Sequence, residues 1–282
     1  MAGQSAEVDS RTAKEGMARG LEAARDGRVT EAVSLFSQAI QRDPECWEAY
    51  RLRGIAYCKL GRRQEGLRDF DEALRRHPEC AGCLYERGSA NMLSGQIEDA
   101  VDDFSGCLAL DPDYAQAYSA RAGAYVKLRR YEDALKDMES AVRVRPGRSD
   151  DLHNRAVILA SLGRYREAIG DYERAIVLNP GSAGSFNNLA WILATAEDPS
   201  IRDGRKAVAY ARKALKMGKN GAWMDTLAAA YAECGEFKKA AAVETAAYRL
   251  SRPPNETFRK RIEIYKSNKR YADSVLQALD TQ

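Results

Sequence analysis

Histidine is nearly absent from this sequence: among 282 residues only His77 and His153 occur. With so few, no nucleophile, base and orienting group can be assembled from neighbours in sequence. No strand pattern precedes a glycine-rich phosphate loop either, so catalysis is not expected. No apolar run approaches the ~20 residues needed to span a bilayer. The opening MAGQSAEVDSRTAKEG lacks the apolar core of a secretory signal, and a cytoplasmic location is expected. The six cysteines are scattered through helical segments and do not frame loops, which suits a reducing compartment. No cofactor is expected.

What is present is mixed and polar enough for a soluble chain, with 45% hydrophobic and 30% charged residues. The net charge of +3 hides a split. Residues 1–201 carry 27 basic and 32 acidic side chains, and residues 202–282 carry 17 and 9. A basic C-terminal part, from Arg202 to Arg270, could meet nucleic acid or another acidic surface. Charge runs on helices more commonly just face water.

The strongest feature is a repeat of 34 residues, whose fullest copy is WEAYRLRGIAYCKLGRRQEGLRDFDEALRRHP, residues 47–78. Gly20, Gly54, Gly88, Ala122 and Ala156 form one column, and Phe36, Phe70, Phe104, Met138 and Tyr172 another. Ala32, Ala100, Ala134 and Ala168 align with Gly66, and Pro44, Pro78, Pro112, Pro146 and Pro180 close successive copies. Within a copy, Trp47, Tyr50, Ile55, Ala56 and Tyr57 recur at helical spacing, Gly61 breaks the run, and Leu67, Phe70, Ala73 and Leu74 mark a second helix. Small residues in the glycine and alanine columns let paired helices approach to the short end of about 8–10 Å. One pair cannot bury its own apolar face, whereas a stack can.

These recurring residues resemble the tetratricopeptide repeat (TPR), as found in bacterial multi-TPR proteins. The resemblance covers nearly everything after residue 12. It implies an all-α, right-handed α-solenoid of about seven helix-turn-helix units plus a C-terminal capping helix. The expected order is a flexible N-terminus (1–12), units at 13–46, 47–80, 81–114, 115–148, 149–182, 183–220 and 221–254, then an end helix and tail (255–282). The end helix should run over roughly 255–279, with Phe258, Ile262 and Tyr265 turned inward. Units two to five follow without insertion, which argues against any domain boundary before residue 182. Unit six departs from the pattern: a polar loop, 194–204, replaces the short glycine turn.

Two charged columns share the period. Arg53, Arg87, Arg121 and Arg155 stand on first helices, and Asp69, Asp103, Asp137 and Asp171 on second helices. Each lies next to a core position, and buried charges must be paired. An Arg–Asp ladder is therefore expected, with a structural role in fixing helix register.

His77-Pro-Glu-Cys80-Ala-Gly-Cys83 places three metal-binding residue types close together, but a structural zinc site wants four ligands. It is read as an inter-unit turn with ordinary cysteines, and no metal is expected. Cys46 precedes Cys80 by one repeat, at about 10 Å between stacked helices, too far for a disulfide.

The TPR resemblance implies a non-catalytic scaffold or adaptor that holds a protein or peptide in a concave groove lined by first helices. Matching positions are Arg51, Ile55, Tyr85, Ser89, Met92, His153, Asn187 and Trp191. The Lys/Asn/Arg clamp of chaperone-binding relatives has no counterpart, since Met17 and Leu21, or Arg51 and Ile55, occupy its places. Trp191 could equally pack under the 194–204 loop. Self-association through the same groove is a further alternative, and nucleic acid is the weaker one.

Overall fold

A computed structural model describes residues 2–251 and 253–272, with side chains from Thr12 onward. The described residues form helices and no strand, and the architecture is an all-α solenoid of antiparallel helix pairs. Two compact units divide the chain, Met1–Val144 and Arg145–Gln282. The division does not interrupt the repeat. It falls between units four and five, ahead of residue 182, where the unbroken pattern argues against a boundary.

The N-terminal unit contains α1 (Ala2–Arg25), α2 (Val29–Arg42), α3 (Trp47–Lys59), α4 (Arg63–Arg76), α5 (Ala81–Ser94), α6 (Ile97–Leu110), α7 (Ala115–Lys127) and α8 (Tyr131–Val144). Each first helix pairs with the second helix that follows it, and α3, α5 and α7 each also meet the preceding second helix. The first helix, α1, begins at Ala2. Its first turns contain no proline and several good helix formers, so nothing stops the helix from extending.

A left-handed residue closes each tight hairpin. Gly27, Gly61 and Gly95 have φ between +77° and +81°. The following amide reaches back to the first helix, as when Arg62 N–H donates to the Tyr57 carbonyl at 2.9 Å. This is the helix stop that glycine makes without a side-chain penalty. Arg129 occupies the same position in the fourth repeat with φ +58°, and Arg130 N–H still reaches the Tyr125 carbonyl at 2.9 Å.

The core of each pair is the aromatic column set against the small one. Phe36, Phe70, Phe104 and Met138 are buried. A Cβ built on Gly88 would lie 2.8 Å from the Phe104 ring, and one on Gly54 the same distance from Phe70. The glycines are thus the space into which the rings fit. Where the filler is the flexible Met138, its partner is Ala122.

The C-terminal unit contains α9 (Ser149–Ser161), α10 (Tyr165–Leu178), α11 (Ala183–Thr195), α12 (Gly204–Met217), α13 (Gly221–Glu233), α14 (Phe237–Leu250) and α15 (Glu256–Lys266). Tyr172 fills the aromatic position, and its hydroxyl accepts from Asn188 Nδ2 at 3.3 Å. The 196–203 loop is fastened at its last residue to both flanking helices. Asp203 N–H donates to the Leu193 carbonyl at 2.8 Å, and Asp203 Oδ1 caps α12 by accepting from Lys206 N–H at 3.0 Å. It is not wholly a surface loop: Arg202 turns inward, 3.4 Å from Glu233.

In α15, Phe258, Ile262 and Tyr265 are buried. The helix ends at Lys266, short of 279, because Asn268 takes a left-handed φ of +56°, and Tyr271 then lies against Trp191. Residues 273–282, which the sequence reading assigns to the end helix and tail, lie outside the described residues.

Candidate functional site: the first-helix face and its charged neighbours

In the N-terminal unit the expected groove residues Arg51 and Ile55 sit on α3, and Tyr85, Ser89 and Met92 on α5; all five are half-exposed. Ile55 lines a cavity of about 190 Å³ together with Leu21, Ala24, Val29, Phe36 and Leu52. Arg25 and Lys59 border the same cavity. The Tyr85 ring packs on Tyr114 (5.1 Å between centroids) and Phe104 (5.9 Å). Ser89 Oγ donates to the Tyr85 carbonyl of its own helix at 2.9 Å. The methyl end of Met92 reaches α7 and would lie 3.9 Å from a Cβ built on Gly123. Glu86 stands between these anchors. Burial pushes its carboxyl above the usual range, and the charges of Arg51 and Lys59 pull it back. The result is an apolar floor with aromatic walls and cations nearby.

In the C-terminal unit the expected residues are more heavily engaged. His153 Nδ1 hydrogen-bonds Ser185 Oγ at 2.8 Å, and the ring meets Tyr172 edge-on at 5.5 Å. Burial lowers the pKa of His153, so the ring is neutral. This Ser–His contact joins residues far apart in sequence, so a search among near neighbours misses it. Ser185 is fully buried, and an attacking group must reach its substrate. Asn187 Nδ2 donates to Asn188 Oδ1 at 3.3 Å. Trp191 is covered by the Arg261 guanidinium, 4.9 Å from its ring centroid, and by Tyr271 at 5.9 Å. Its cover therefore includes α15 and the residues after it, which the repeat pattern does not reveal.

The charged columns meet as pairs. Arg53 Nε and Nη2 donate to Asp69 at 2.8 Å each, and Arg121 Nε and Nη2 to Asp137 at 2.8 and 2.7 Å. Arg155 donates to Asp171 at 2.6 and 2.7 Å. Arg87 holds Asp103 through Nε at 3.0 Å, and Asn91 Nδ2 donates to the same carboxylate at 2.9 Å. Each guanidinium of the N-terminal unit also reaches back to the preceding repeat: Arg53 to Ser37 Oγ (3.0 Å), Arg87 to Asp71 (2.7 Å) and Arg121 to Ser105 Oγ (2.8 Å). One side chain thus joins three helices. Burial raises the pKa of Asp69 and Asp103, against the lowering effect of their arginines.

A second charged cluster breaks the pattern of the last unit: counting from Gly235, which matches Gly61, Glu244 stands where Phe70 stands in unit two. Glu244 is fully buried on α14, beside Asp225 on α13 and Arg261 and Tyr265 on α15. Arg261 Nη1 donates to Asp225 Oδ2. The Tyr265 hydroxyl has no hydrogen-bond partner, and the Glu244 carboxyl faces Asp225, to which its protonated form donates a hydrogen bond. One cation beside two carboxylates cannot hold both ionised in so dry a place. Burial, and next the Asp225 charge, push the Glu244 carboxyl up to about 9, so it stays protonated at neutral pH.

The cysteine reading needs correction. Cys80 and Cys83 are joined in a disulfide and are not ordinary thiols. Cys80 is the N-cap of α5, and its Cα lies 5.2 Å from that of Cys83, the spacing of residues three apart on a helical turn. Cys46, Cys58, Cys107 and Cys234 are free. Burial raises all four thiol pKa values, that of Cys107 to about 11. None is poised as a thiolate nucleophile at neutral pH. His77 stacks on Trp47 at 4.6 Å. Among the described residues, no group of three or more His, Cys, Asp or Glu side chains is arranged to hold a metal ion. Nor is any described helix long and apolar enough to cross a membrane.

Among curated proteins, none matches this sequence. Solved structures do resemble it. A tetratricopeptide repeat protein from Parabacteroides merdae aligns with a TM-score of 0.63 at 18% identity, over 91% of this chain and 99% of its own. YrrB, a TPR protein with an unusual peptide-binding site, aligns at 0.56 and 21% identity, over 64% of this chain and 91% of its own. MamA from Desulfovibrio magneticus gives 0.56 and 20%, over 61% and 97%. At these identities the likeness concerns the fold. The sequence model of the tetratricopeptide repeat matches residues 17–65, 53–115, 94–152, 119–183 and 153–199. With that match spanning more than half the chain, and with helix pairs built on the small-against-aromatic columns, the protein belongs to the tetratricopeptide repeat family.

Proposed function

We propose that this chain is a non-catalytic scaffold that binds a protein or peptide along its first-helix face, chiefly in the N-terminal unit. Arg51, Ile55, Tyr85, Ser89 and Met92 form the contact set there, and Asn187 contributes in the C-terminal unit. His153 and Trp191 serve mainly as supports, given their contacts with Ser185 and with Arg261 and Tyr271.

The observation that carries this reading is the half-exposed band on α3 and α5 beside the cavity that Ile55 lines. Aromatic and arginine anchors next to an apolar depression are what concentrates binding energy at interfaces. The general use of this repeat in holding other proteins supports the reading, as does the peptide-binding site named for YrrB. The basic C-terminal part is a poorer candidate for nucleic acid, because Arg202 and Arg261 are spent on Glu233 and Asp225.

A tiled peptide array probed with the full chain, followed by titration of the best binder, tests the proposal. Changing Arg51, Ile55 and Tyr85 together to Ala should abolish binding. Binding that survives this change, or that collapses steeply with moderate salt as phosphate contacts do, would remove it.

A further inference from the structure

The run from His77 to Cys83 has no part in the binding face, yet it carries the disulfide. We propose that Cys80 and Cys83 form a reversible redox site, opened and closed by thiol–disulfide exchange with a dithiol reductant, whose state sets the order of the first turn of α5. The inference stands apart from the binding proposal, since it concerns the helix end and not what the face holds.

Packing alone does not call for sulfur here. The position of Cys83 is taken by Ala49 one repeat earlier and by Ala117 one repeat later, both fully buried. The position of Cys80 is taken by Cys46 and Tyr114, each the N-cap of its helix. Of these three repeats, this one alone has cysteine at both places. Their Cα atoms lie 5.2 Å apart, the ordinary spacing of residues three apart on a helical turn and inside the range a disulfide requires. The Cys83 N–H points at Cys80 Sγ at 3.0 Å. An amide of the first helical turn aimed at sulfur favours the thiolate that exchange must pass through.

Access sets the order of events. Cys80 is 6% exposed and Cys83 0%, so an incoming thiolate attacks Cys80 Sγ and the Cys83 sulfur departs as a thiolate and takes up a proton. The second thiol of the reductant then attacks its own sulfur in the mixed disulfide and releases Cys80 as a thiolate, which is protonated in turn. Two electrons and two protons pass from the dithiol to the protein, and the reductant leaves as a disulfide. The consequence is local. Cys83 packs with Ala49, Tyr50 and Ala73, and Tyr85 follows two residues later, held on Tyr114 and Phe104. Losing the bond frees the turn that fixes both.

The test uses the full chain, equilibrated in glutathione buffers of graded oxidation or in dithiothreitol, then trapped with an alkylating reagent and read by peptide mass spectrometry. In oxidising buffer Cys80 and Cys83 should escape alkylation while the other four cysteines are labelled on denaturation. Dithiothreitol should open the bond in the folded protein, and amide exchange over 81–86 should then quicken about tenfold or more. Cys80→Ser keeps an oxygen cap and Cys83→Ala takes the residue of the adjacent repeats, so both variants should fold and should match reduced wild type in every buffer. Labelling of all six cysteines in oxidising buffer, a bond that yields only after denaturation, or exchange over 81–86 indifferent to reduction would each overturn the proposal.

Discussion

Replacing Asp69 by Ala strips Arg53 of two hydrogen bonds of 2.8 Å and leaves its guanidinium, 19% exposed, at the junction of two repeats. Breaking a buried pair from one side costs about 3–5 kcal/mol, because the surviving charge is uncompensated. Arg53 keeps the Ser37 hydroxyl at 3.0 Å and lies 5.7 Å from the ring centroids of both Tyr50 and Tyr57. The loss should therefore fall near the lower end, about 3 kcal/mol. Arg53→Ala should cost less, since Asp69, its pKa already raised by burial, can take up a proton. Replacing both, as Arg53→Met with Asp69→Leu, should come close to neutral, as apolar substitutes for buried pairs often do. The assay is a double-mutant cycle by guanidinium denaturation, with amide exchange over 47–76 to separate local fraying from global unfolding. With Arg53→Met and Asp69→Leu made singly and together, a coupling of about 3 kcal/mol or more is expected. Additivity within about 0.5 kcal/mol would show that the ladder does not fix the register of neighbouring repeats.

Three further outcomes follow from the packing. Arg129→Gly removes a left-handed side chain from a turn where Gly27, Gly61 and Gly95 stand in adjacent repeats; a gain of about 1 kcal/mol in denaturation is expected, and a loss would contradict the turn argument. Phe104→Ala empties the space opposite Gly88 and should cost about 3–5 kcal/mol, with exchange rising first in α5 and α6; a uniform rise across the N-terminal unit would speak against locally spread stability. Glu244 binds a proton in the folded state that the unfolded chain has already lost above about pH 4.5. The contribution of Glu244 to stability should therefore be greatest below that pH, fall by up to about 1.4 kcal/mol per pH unit as pH rises, and level off above about 9, where the folded carboxyl ionises. Glu244→Gln keeps a neutral group, so the difference in thermal midpoint between variant and wild type should widen with pH. A constant difference would mean that Glu244 is ionised in the fold.

The repeat made much of this molecule legible in advance. A 34-residue period with glycine against phenylalanine gives the helix pairs, because the ring needs the room that the missing side chain leaves. The Arg–Asp pairs could be read for the same reason: two charged columns flanking core columns had nowhere to go but to each other. What escaped the reading lies where the period fails or where backbone angles decide. The Cys80–Cys83 bond joins positions three residues apart, a spacing that any helical turn brings together, so closeness alone does not tell a bond from two thiols. The left-handed Arg129 looks like an ordinary surface residue. Glu244 stands in the column of Phe70 and Phe104, a mismatch visible in the sequence, but its neighbour Arg261 lies on α15, which no column includes. Trp191 matches a groove position, but its cover comes from Arg261 and Tyr271, which no column includes.

The account rests on the first-helix face of the N-terminal unit being the place where a partner binds. Its most direct test is calorimetric titration of an array-selected peptide against wild type and against the single variants Arg51→Ala, Ile55→Ala and Tyr85→Ala. At least one variant should weaken binding about thirtyfold, the loss of one interfacial anchor, with no change in thermal midpoint beyond about 1 kcal/mol of stability. Affinity unchanged in all three, together with loss on altering the exposed side chains of α4 and α6, would place the partner on the opposite face and contradict the account.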